Sequence, residues 1–245
     1  MRIAIIVAMD KEFIRIKELL EQVEETAIGG RSYTSGRLGN NELMLHQCGI
    51  GKVNAAIGVT ELIRLFNPDL VVSTGCAGGA SDMLEVTDVV VSRQLAYHDV
   101  YCGCALGETV YGQVQGMPAR YTTPREIVEK ALACGERIHE GLIVTGDWFV
   151  DDQEKMRSII RLFPEAMAVD METATLFSCG FANHIPTGAL LLVSDQPMIP
   201  EGVKTEKSDN LVTQHFVKEH LEIGIESLRL ILDEKKTVKH LKFDW

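Results

Sequence analysis

Residues 166–195 read AMAVDMETATLFSCGFANHIPTGALLLVSD, and this stretch predicts the fold class. The short apolar run that ends at Asp170 and the longer one that ends at Asp195 are typical of buried strands. Between them, Met171, Ala174 and Phe177 recur at helical spacing, so the segment predicts a strand–helix–strand unit. The chain on either side repeats this alternation of strands and helices. The sequence therefore predicts an α/β fold with a mixed, mostly parallel sheet that is covered by helices.

Two carboxylates lie at the ends of these predicted strands. Glu172 follows the first strand where the helix begins, and Asp195 ends the second strand. Open α/β sheets bind ligands at the carboxyl ends of their strands, and two carboxylates in unequal surroundings can divide acid and base roles. A structural explanation also exists for each residue. Glu172 can be a charge that the helix dipole favours, and Asp195 can cap the segment that follows it.

Composition and charge exclude several classes of protein. The 245 residues suit one large α/β domain, and without a visible linker or repeat we expect a single domain over 1–245 that ends in a polar tail, 233–245. The net charge of −11 argues against nucleic acid or an anionic membrane as the main partner. No apolar run approaches the roughly 20 residues of a membrane span, and the apolar start at residues 2–9 is too short for a signal peptide.

The six cysteines indicate a reducing compartment rather than a disulfide framework. Several lie in apolar strand or helix contexts, which is typical of reduced core thiols in a cytoplasmic protein. Cys102-Gly103-Cys104 is the one close pair in the sequence. A single C-x-C pair without a second pair or a nearby histidine is weak support for a metal site, so we expect no metal.

Glycine-rich segments follow two of the predicted strands. Gly49-Ile50-Gly51-Lys52 precedes a helix, and Gly75-Cys76-Ala77-Gly78-Gly79 is predicted as a loop after an apolar strand. Glycine lets backbone amides approach a ligand closely, but neither segment matches a dinucleotide-binding or phosphate-loop motif. Either segment alone is better explained as a tight turn. Together, at successive strand ends, they favour a pocket for a polar small molecule.

Aromatic and sulfur-containing side chains are further candidates for such a pocket. Trp148-Phe149-Val150 follow a predicted strand, where an exposed aromatic ring can stack on a planar base, although core packing explains them as well. Met9 and Met171 can line a pocket or fill the core. Tyr97-His98-Asp99 does not predict a catalytic pair, because neighbouring residues in a strand point to opposite faces.

Seven segments together carry a resemblance that none carries alone: Ala8-Met-Asp-Lys-Glu12, Gly49-Ile-Gly-Lys-Val-Asn-Ala55, Ser73-Thr-Gly-Cys-Ala-Gly-Gly79, Tyr97-His-Asp99, Thr145-Gly-Asp-Trp-Phe149, Val169-Asp-Met-Glu172 and Val193-Ser-Asp195. This ordered set resembles the 5′-methylthioadenosine/S-adenosylhomocysteine nucleosidases of the nucleoside phosphorylase superfamily, over about residues 1–232. The resemblance implies a three-layer α/β/α sandwich with a mixed, partly barrel-like sheet, in a homodimer or a higher homo-oligomer. It also implies hydrolysis of the N-glycosidic bond of a purine nucleoside with release of adenine, without a cofactor or metal.

The resemblance also implies a role for each candidate residue. Glu12 matches the base that activates water, and Asp195 matches the acid that protonates the purine. The apolar strand around Asp195 favours its protonated form. The implied substrate-binding residues are Glu172 and Met171 at the ribose, Phe149 and Val150 at the adenine, Met9 and Ile50 near the 5′ substituent, and Cys76 and Ser194 in the flanking motifs.

Alternative functions stay open because the chain departs from the family pattern. Leu191 stands where the family has an arginine, and Cys76 where it has a serine. The C-terminal part from Ser194 to Ile225 is more similar to bacterial AMP nucleosidase, which holds a 5′-phosphate. The alternatives are that enzyme, another purine nucleosidase or phosphorylase, and a non-catalytic nucleoside-binding protein. A cation facing the 5′ position would indicate the AMP type. The resemblance also implies that the loop Tyr101–Tyr111 closes the pocket of a neighbouring subunit.

Overall fold

The computed structural model describes residues 1–103 and 110–199 of the chain. Apolar residues at helical spacing also predict a helix from Val217 to Leu232. This helix, the polar tail and the centre of the loop Tyr101–Tyr111 lie outside the described residues. None of the helices within those two ranges has the length and apolar character that a membrane span requires.

Strands and helices alternate along the described chain, as the sequence predicts. In chain order the elements are β1 (Arg2–Val7), α1 (Asp10–Lys17), β2 (Glu21–Ile28), β3 (Arg31–Leu38), β4 (Asn41–Gln47), α2 (Lys52–Phe66), β5 (Leu70–Gly79), β6 (Val89–Tyr97), β7 (Tyr121–Thr122), α3 (Arg125–Leu132), β8 (Ile138–Thr145), α4 (Gln153–Leu162), β9 (Ala166–Asp170), α5 (Thr173–Ala182) and β10 (Thr187–Asp195).

One mixed sheet joins all ten of these strands. Five of them close into a barrel in the order β5, β10, β6, β8 and β9, because β5 pairs with both β10 and β9. From β5 the sheet continues as an open part through β1, β4 and β3 to β2. Strands β10, β5, β1 and β4 run parallel to their neighbours in that row, so their carboxyl ends meet at one edge. The expected mixed, partly barrel-like sheet is confirmed.

Alternate residues of β1 show how helices cover both faces of the sheet. Ile3, Ile5 and Val7 pack in one apolar cluster with residues of α1 and α3. Ala4 and Ile6 point the other way and pack with residues of α2 and α5. A strand that is buried on both faces needs a continuous apolar run rather than an alternating one. The architecture is therefore the expected three-layer α/β/α sandwich.

Two details of the sequence interpretation are wrong. The glycine-rich segment predicted as a loop continues β5, and its Gly78 and Gly79 pair with β9 to close the barrel. Glycine suits this close approach of β5 to β9, because a β-carbon at Gly78 would lie only 3.1 Å from Val169 Cγ2. Strand β2 was not predicted, because all eight of its residues are exposed and lack the alternation of a half-buried strand.

Candidate active site

A cleft with an empty volume of about 820 Å³, including the part open to solvent, lies where the sheet's carboxyl ends meet. The ten residues to which the resemblance assigns a catalytic or substrate-binding role all line it, although they come from distant parts of the chain. They are Met9, Glu12, Ile50, Cys76, Phe149, Val150, Met171, Glu172, Ser194 and Asp195. The fold therefore brings the candidate residues together in one place, as ligand sites of α/β sheets require.

Glu12 is a buried carboxyl group that backbone N–H groups hold in one orientation. It lies in the first turn of α1 and is 1% exposed. Its Oε2 accepts hydrogen bonds from the N–H groups of Ala8 and Met9, and its Oε1 accepts one from Cys76, each at 3.0 Å. Burial raises the pKa of Glu12, while the three N–H groups oppose this rise by favouring the carboxylate. Gly75 leaves room for it, since a β-carbon there would lie 2.8 Å from Oε1.

Glu172 lies at the junction of β9 and α5, where it is the N-terminal cap residue of the helix. Its Oε1 accepts a hydrogen bond of 2.6 Å from the Gly51 N–H. Burial, and then the charge of Asp170, raise the pKa of Glu172 to about 8, and the Gly51 N–H opposes this rise. Asp170 Oδ2 accepts the N–H groups of Glu172 and Thr173 at 3.1 and 2.7 Å, and its Oδ1 accepts the Thr145 hydroxyl at 2.5 Å. Asp170 thus fixes the position of Glu172 at the start of α5.

Asp195 ends β10 and is 5% exposed. The Ser194 hydroxyl donates a 2.5 Å hydrogen bond to Asp195 Oδ1 and lies 3.3 Å from the Ala77 carbonyl oxygen. The register between β10 and β5 shifts between Val193 and Asp195, so that Asp195 pairs with Gly78. Such an irregularity re-aims side chains at the end of a strand. A β-carbon at Gly78 would lie 3.4 Å from Asp195 Oδ2, so glycine leaves space beside this carboxyl group.

The aromatic segment after β8 presents two rings, those of Trp148 and Phe149, at the cleft and buries the side chain of the residue that follows them. Phe149 lines the cleft and is 52% exposed, which argues against core packing as its role. Val150 is 6% exposed and packs in an apolar cluster with Met156. Trp148 is 54% exposed, and Lys155 Nζ lies 4.3 Å from the centroid of its ring. A half-exposed ring at the mouth of a cleft can stack on a planar ligand.

The charged groups that line the cleft are all acidic in the part of the chain that the structure describes. None of these lining residues is Lys, Arg or His, and Leu191, which is 2% exposed, is among the apolar ones. Arg93 and Arg120 lie elsewhere and pair with Glu140 at 3.1 Å and Glu165 at 2.8 Å. The described residues include no group of three or more side chains that could hold a metal ion; Cys104 lies outside them. The acidic lining residues are Glu12, Asp170, Glu172 and Asp195.

Two residues at the cleft were not assigned a role from the sequence. Asp170 precedes Thr173 by three positions at a strand-to-helix junction, which is a capping pattern that could have identified it. The contact between Gly51 and Glu172 joins residues 121 positions apart, so no local pattern reveals it. Only the strand order of the sheet places the segment that contains Gly51 beside the segment that contains Glu172.

Comparison with sequence families gives a match over almost the whole chain. The sequence profile of the Phosphorylase superfamily matches residues 2–233. A 5′-methylthioadenosine/S-adenosylhomocysteine nucleosidase from Geobacillus kaustophilus is 38% identical over 220 residues, which cover 88% of this chain and 93% of the relative. A nucleosidase of the same name from Geobacillus sp. (strain WCH70) is 41% identical over 200 residues, which cover 80% of this chain and 85% of the relative.

Solved nucleosidase structures with bound ligands have the same fold. The Streptococcus pneumoniae MTA/SAH nucleosidase in complex with 8-aminoadenine superimposes with a TM-score of 0.85 at 30% identity, covering 94% of this chain and 99% of that one. The Neisseria meningitidis 5′-methylthioadenosine/S-adenosylhomocysteine nucleosidase in complex with methylthio-immucillin-A gives a TM-score of 0.85 at 32% identity, with the same coverage of 94% and 99%.

Proposed function

The chain belongs to the 5′-methylthioadenosine/S-adenosylhomocysteine nucleosidases of the phosphorylase superfamily, and from this premise we propose that it hydrolyses the N-glycosidic bond of these two purine nucleosides and releases adenine. The observation that carries this proposal is the placement of Glu12 and Asp195, with different hydrogen-bond partners, in one cleft. One of them can activate water while the other protonates the leaving base.

Glu12 is the base in the proposed reaction. Its carboxylate takes a proton from a water molecule as the water oxygen forms a bond to C1′ of the ribose. Three backbone N–H groups orient it, and the rise of its pKa through burial makes it a stronger base than an exposed glutamate. Because Cys76 contributes its backbone N–H, a cysteine in place of the family's serine leaves this contact unchanged.

Asp195 is the acid in the proposed reaction. It gives its proton to N7 of the purine while the bond between C1′ and N9 breaks, so the base leaves as neutral adenine. The Ser194 hydroxyl donates to Oδ1 of Asp195 and orients the carboxyl group. Charge develops on the ribose in an oxocarbenium-like transition state, which nearby carboxylates stabilise.

The remaining residues bind the parts of the nucleoside in this proposal. Phe149 stacks on the adenine, and the backbone of the buried Val150 borders it. Glu172 holds the ribose hydroxyls, and Met171 packs against the sugar. Met9 and Ile50 accommodate the 5′ substituent, as apolar residues suit a thioether.

The lack of a cation among the described residues that line the cleft separates this proposal from its alternatives. A 5′-phosphate or a free phosphate nucleophile would need Lys or Arg, and the described lining offers neither. This favours a neutral 5′ substituent and water as the nucleophile. It counts against an AMP nucleosidase and against a phosphorylase.

Adenine release by the purified protein tests the proposed function. We expect release from 5′-methylthioadenosine and S-adenosylhomocysteine at the same rate with and without phosphate, and little release from AMP. Release mainly from AMP would instead identify the protein as an AMP nucleosidase. Release that depends on phosphate would make it a phosphorylase, and binding without release would make it a nucleoside-binding protein.

We propose that the protein is a homodimer. Helix α2 and the segment before it present an exposed apolar face beside the cleft mouth, where Ile50, Val53 and Ile57 are 54%, 67% and 40% exposed. Large apolar patches of this kind favour burial against another protein surface, and the resemblance to the family points to a second copy. Light scattering after gel filtration tests this: we expect a dimer of the wild type and a monomer of Val53→Glu. A monomeric wild type would contradict it.

We also propose a cytoplasmic location. The structure describes five of the six cysteines, and none of these five forms a disulfide bond, as is usual in a reducing compartment. Cell fractionation tests this, and recovery with periplasmic or secreted proteins would contradict it.

A further inference from the structure

Asp99 joins three loops beside the cleft without lining it. It follows β6, and its Oδ1 and Oδ2 accept hydrogen bonds of 2.7 and 2.8 Å from Lys52 Nζ; Lys52 begins α2 at the end of the loop after β4. Its Oδ2 also accepts the Asp147 N–H, in the segment after β8, at 2.8 Å. The sequence singled out this carboxylate within Tyr97-His98-Asp99, but neither the acid nor the base role uses it.

A second carboxylate completes a ring of contacts between these loops. Asp147 Oδ1 accepts the Lys52 N–H at 2.7 Å, and its Oδ2 lies 4.0 Å from Lys52 Nζ. On one side of the ring, Gly51 precedes Lys52 and donates its N–H to Glu172. On the other side, Asp147 is followed by Trp148 and then by Phe149 at the cleft mouth. The ring of Lys52, Asp99 and Asp147 is therefore adjacent in sequence to groups at two sides of the cleft.

The ring is closely packed, and its Lys52–Asp99 pair is partly sheltered from water, whereas the Asp147 side chain is 43% exposed. The side chains of Lys52 and Asp99 are only 22% and 24% exposed, so water screens their ion pair less than it screens an exposed pair. Lys52 Nζ also lies 5.5 Å from the centroid of the Tyr97 ring. Gly51 adopts a φ of 96°, and a β-carbon there would lie 2.9 Å from Asp147 Oδ1. The loops therefore fit together with little free space.

We propose that Asp99 is a positioning residue for nucleoside binding, which acts by holding Lys52 and Asp147 so that Glu172 and Phe149 keep their places on two sides of the cleft. This inference rests on the proposed function, because it assigns Asp99 an effect on the ribose and adenine contacts of that same site. Loss of Asp99 removes its contacts with both loops at once and leaves the hydrogen bond from the Lys52 N–H to Asp147 as the remaining hydrogen bond within the ring. A displacement of about 1 Å in a group that positions substrate can cost on the order of 10²-fold in activity.

Steady-state kinetics and adenine binding by calorimetry test the proposal with Asp99→Asn, Lys52→Met and the double variant. We expect each single variant to raise the KM for 5′-methylthioadenosine and the Kd for adenine by about tenfold or more, with a smaller effect on kcat. Because both residues act through one ring, the double variant should lose little more affinity for substrate and adenine than the more strongly affected single variant. The matched control is Glu140→Gln, which breaks the exposed pair between Arg93 of β6 and Glu140 of β8 and should leave both constants unchanged.

A KM and an adenine Kd in Asp99→Asn within about twofold of the wild type would overturn the positioning role. It would also be overturned if the loss of binding free energy in the double variant equalled the sum of the losses in the two single variants. If Asp99→Asn fails to fold, Lys52→Met carries the test, because it removes the cation of the ring and keeps both carboxylates. Wild-type protein that neither releases nor binds adenine would instead overturn the proposed function. An active wild type with an unaltered Asp99→Asn overturns this inference alone.

Discussion

At the scale of single residues, the two carboxyl groups proposed for chemistry differ in their hydrogen-bond partners. Glu12 accepts three backbone N–H groups, which favour its charged form. Asp195 accepts the Ser194 hydroxyl at the end of an apolar strand. These partners suit Glu12 to the proposed role of the base, and the proposed role of Asp195 as the acid follows from its match to the family motif. The sequence could indicate the two residues, but the donors to Glu12 come from two separate segments and become visible only in the fold.

The pH dependence of kcat/KM should report the raised pKa of Glu12. Because burial raises this pKa above its ordinary value of 4.5, the carboxylate is lost at a higher pH than in an exposed glutamate. We therefore expect kcat/KM for 5′-methylthioadenosine to fall on the acid side at a pH above 4.5. Glu12→Gln should lower kcat by about 10²–10⁴-fold and keep adenine binding. The control is Asp10→Asn, an exposed residue of the same helical turn. Near-normal turnover by Glu12→Gln would contradict the base assignment.

At the scale of elements, the start of α5 depends on two side chains that precede it. Helices leave their first backbone N–H groups without partners within the helix. Here Asp170 Oδ2 accepts those of Glu172 and Thr173, and the Thr145 hydroxyl oxygen accepts that of Ala174 at 2.9 Å. The same hydroxyl donates to Asp170, so β8, β9 and α5 share one hydrogen-bond network. This network fixes the residue at which the helix begins, and hence the place of Glu172.

Removal of the Thr145 hydroxyl should destabilise the protein. Thr145→Val leaves the buried Ala174 N–H without its acceptor and Asp170 without its donor, which should cost about 1–3 kcal/mol. Thermal unfolding should show a Tm that is lower by about 2–4 °C for each kcal/mol of lost unfolding free energy. Thr60→Val is the matched control, because its hydroxyl makes a long contact of 3.9 Å with Cys179 Sγ. Equal Tm values for the two variants would contradict the capping role.

Elements with strong apolar patterns could be predicted from the sequence, and those without could not. The strands that end at Asp170 and Asp195 and the intervening helix are where their periodicity places them. The exposed strand β2 gives no such pattern. The end of β5 looks like a loop because of its glycines, yet it pairs with β9 to close the barrel. Glycine content alone does not distinguish a turn from a strand that approaches another backbone closely.

At the scale of the whole molecule, the sheet order assembles the cleft from segments far apart in the chain. The contact between Glu12 and Cys76 spans 64 positions, and that between Gly51 and Glu172 spans 121. The family resemblance could predict which residues belong to the site. The hydrogen bonds between those residues, and the ring around Asp99, depend on which loops the closed barrel places side by side, so the sequence did not reveal them.

The buried acidic cleft should also make the stability of the whole molecule depend on pH. Glu172 has a pKa of about 8 in the folded protein against an ordinary value of 4.5, so between these two pH values the folded state keeps a proton that the unfolded state has lost. Its contribution to stability is therefore full below about pH 4.5 and is lost as the pH rises towards 8. Glu172→Gln keeps an oxygen acceptor for the Gly51 N–H and cannot ionise.

We expect Glu172→Gln to be more stable than the wild type at pH 8, by more than about 1 kcal/mol, and the difference to shrink towards pH 4.5. Thermal unfolding across this range measures it. Glu154→Gln, at an exposed position in the first turn of α4, is the control and should follow the wild type. A lower Tm for Glu172→Gln than for the wild type at pH 8 would contradict the raised pKa.

The proposed roles of Glu12 as the base and Asp195 as the acid are tested most directly by changing the leaving group. A 5-methylthioribosyl substrate with p-nitrophenolate in place of adenine needs no protonation of the leaving group but still needs an activated water. The measurement is kcat/KM of the wild type, Glu12→Gln and Asp195→Asn on this substrate and on 5′-methylthioadenosine. We predict that Asp195→Asn loses about 10²-fold or more with the adenine substrate and keeps most of its activity with p-nitrophenolate, whereas Glu12→Gln loses both activities. Equal losses of the two activities in Asp195→Asn would contradict the account.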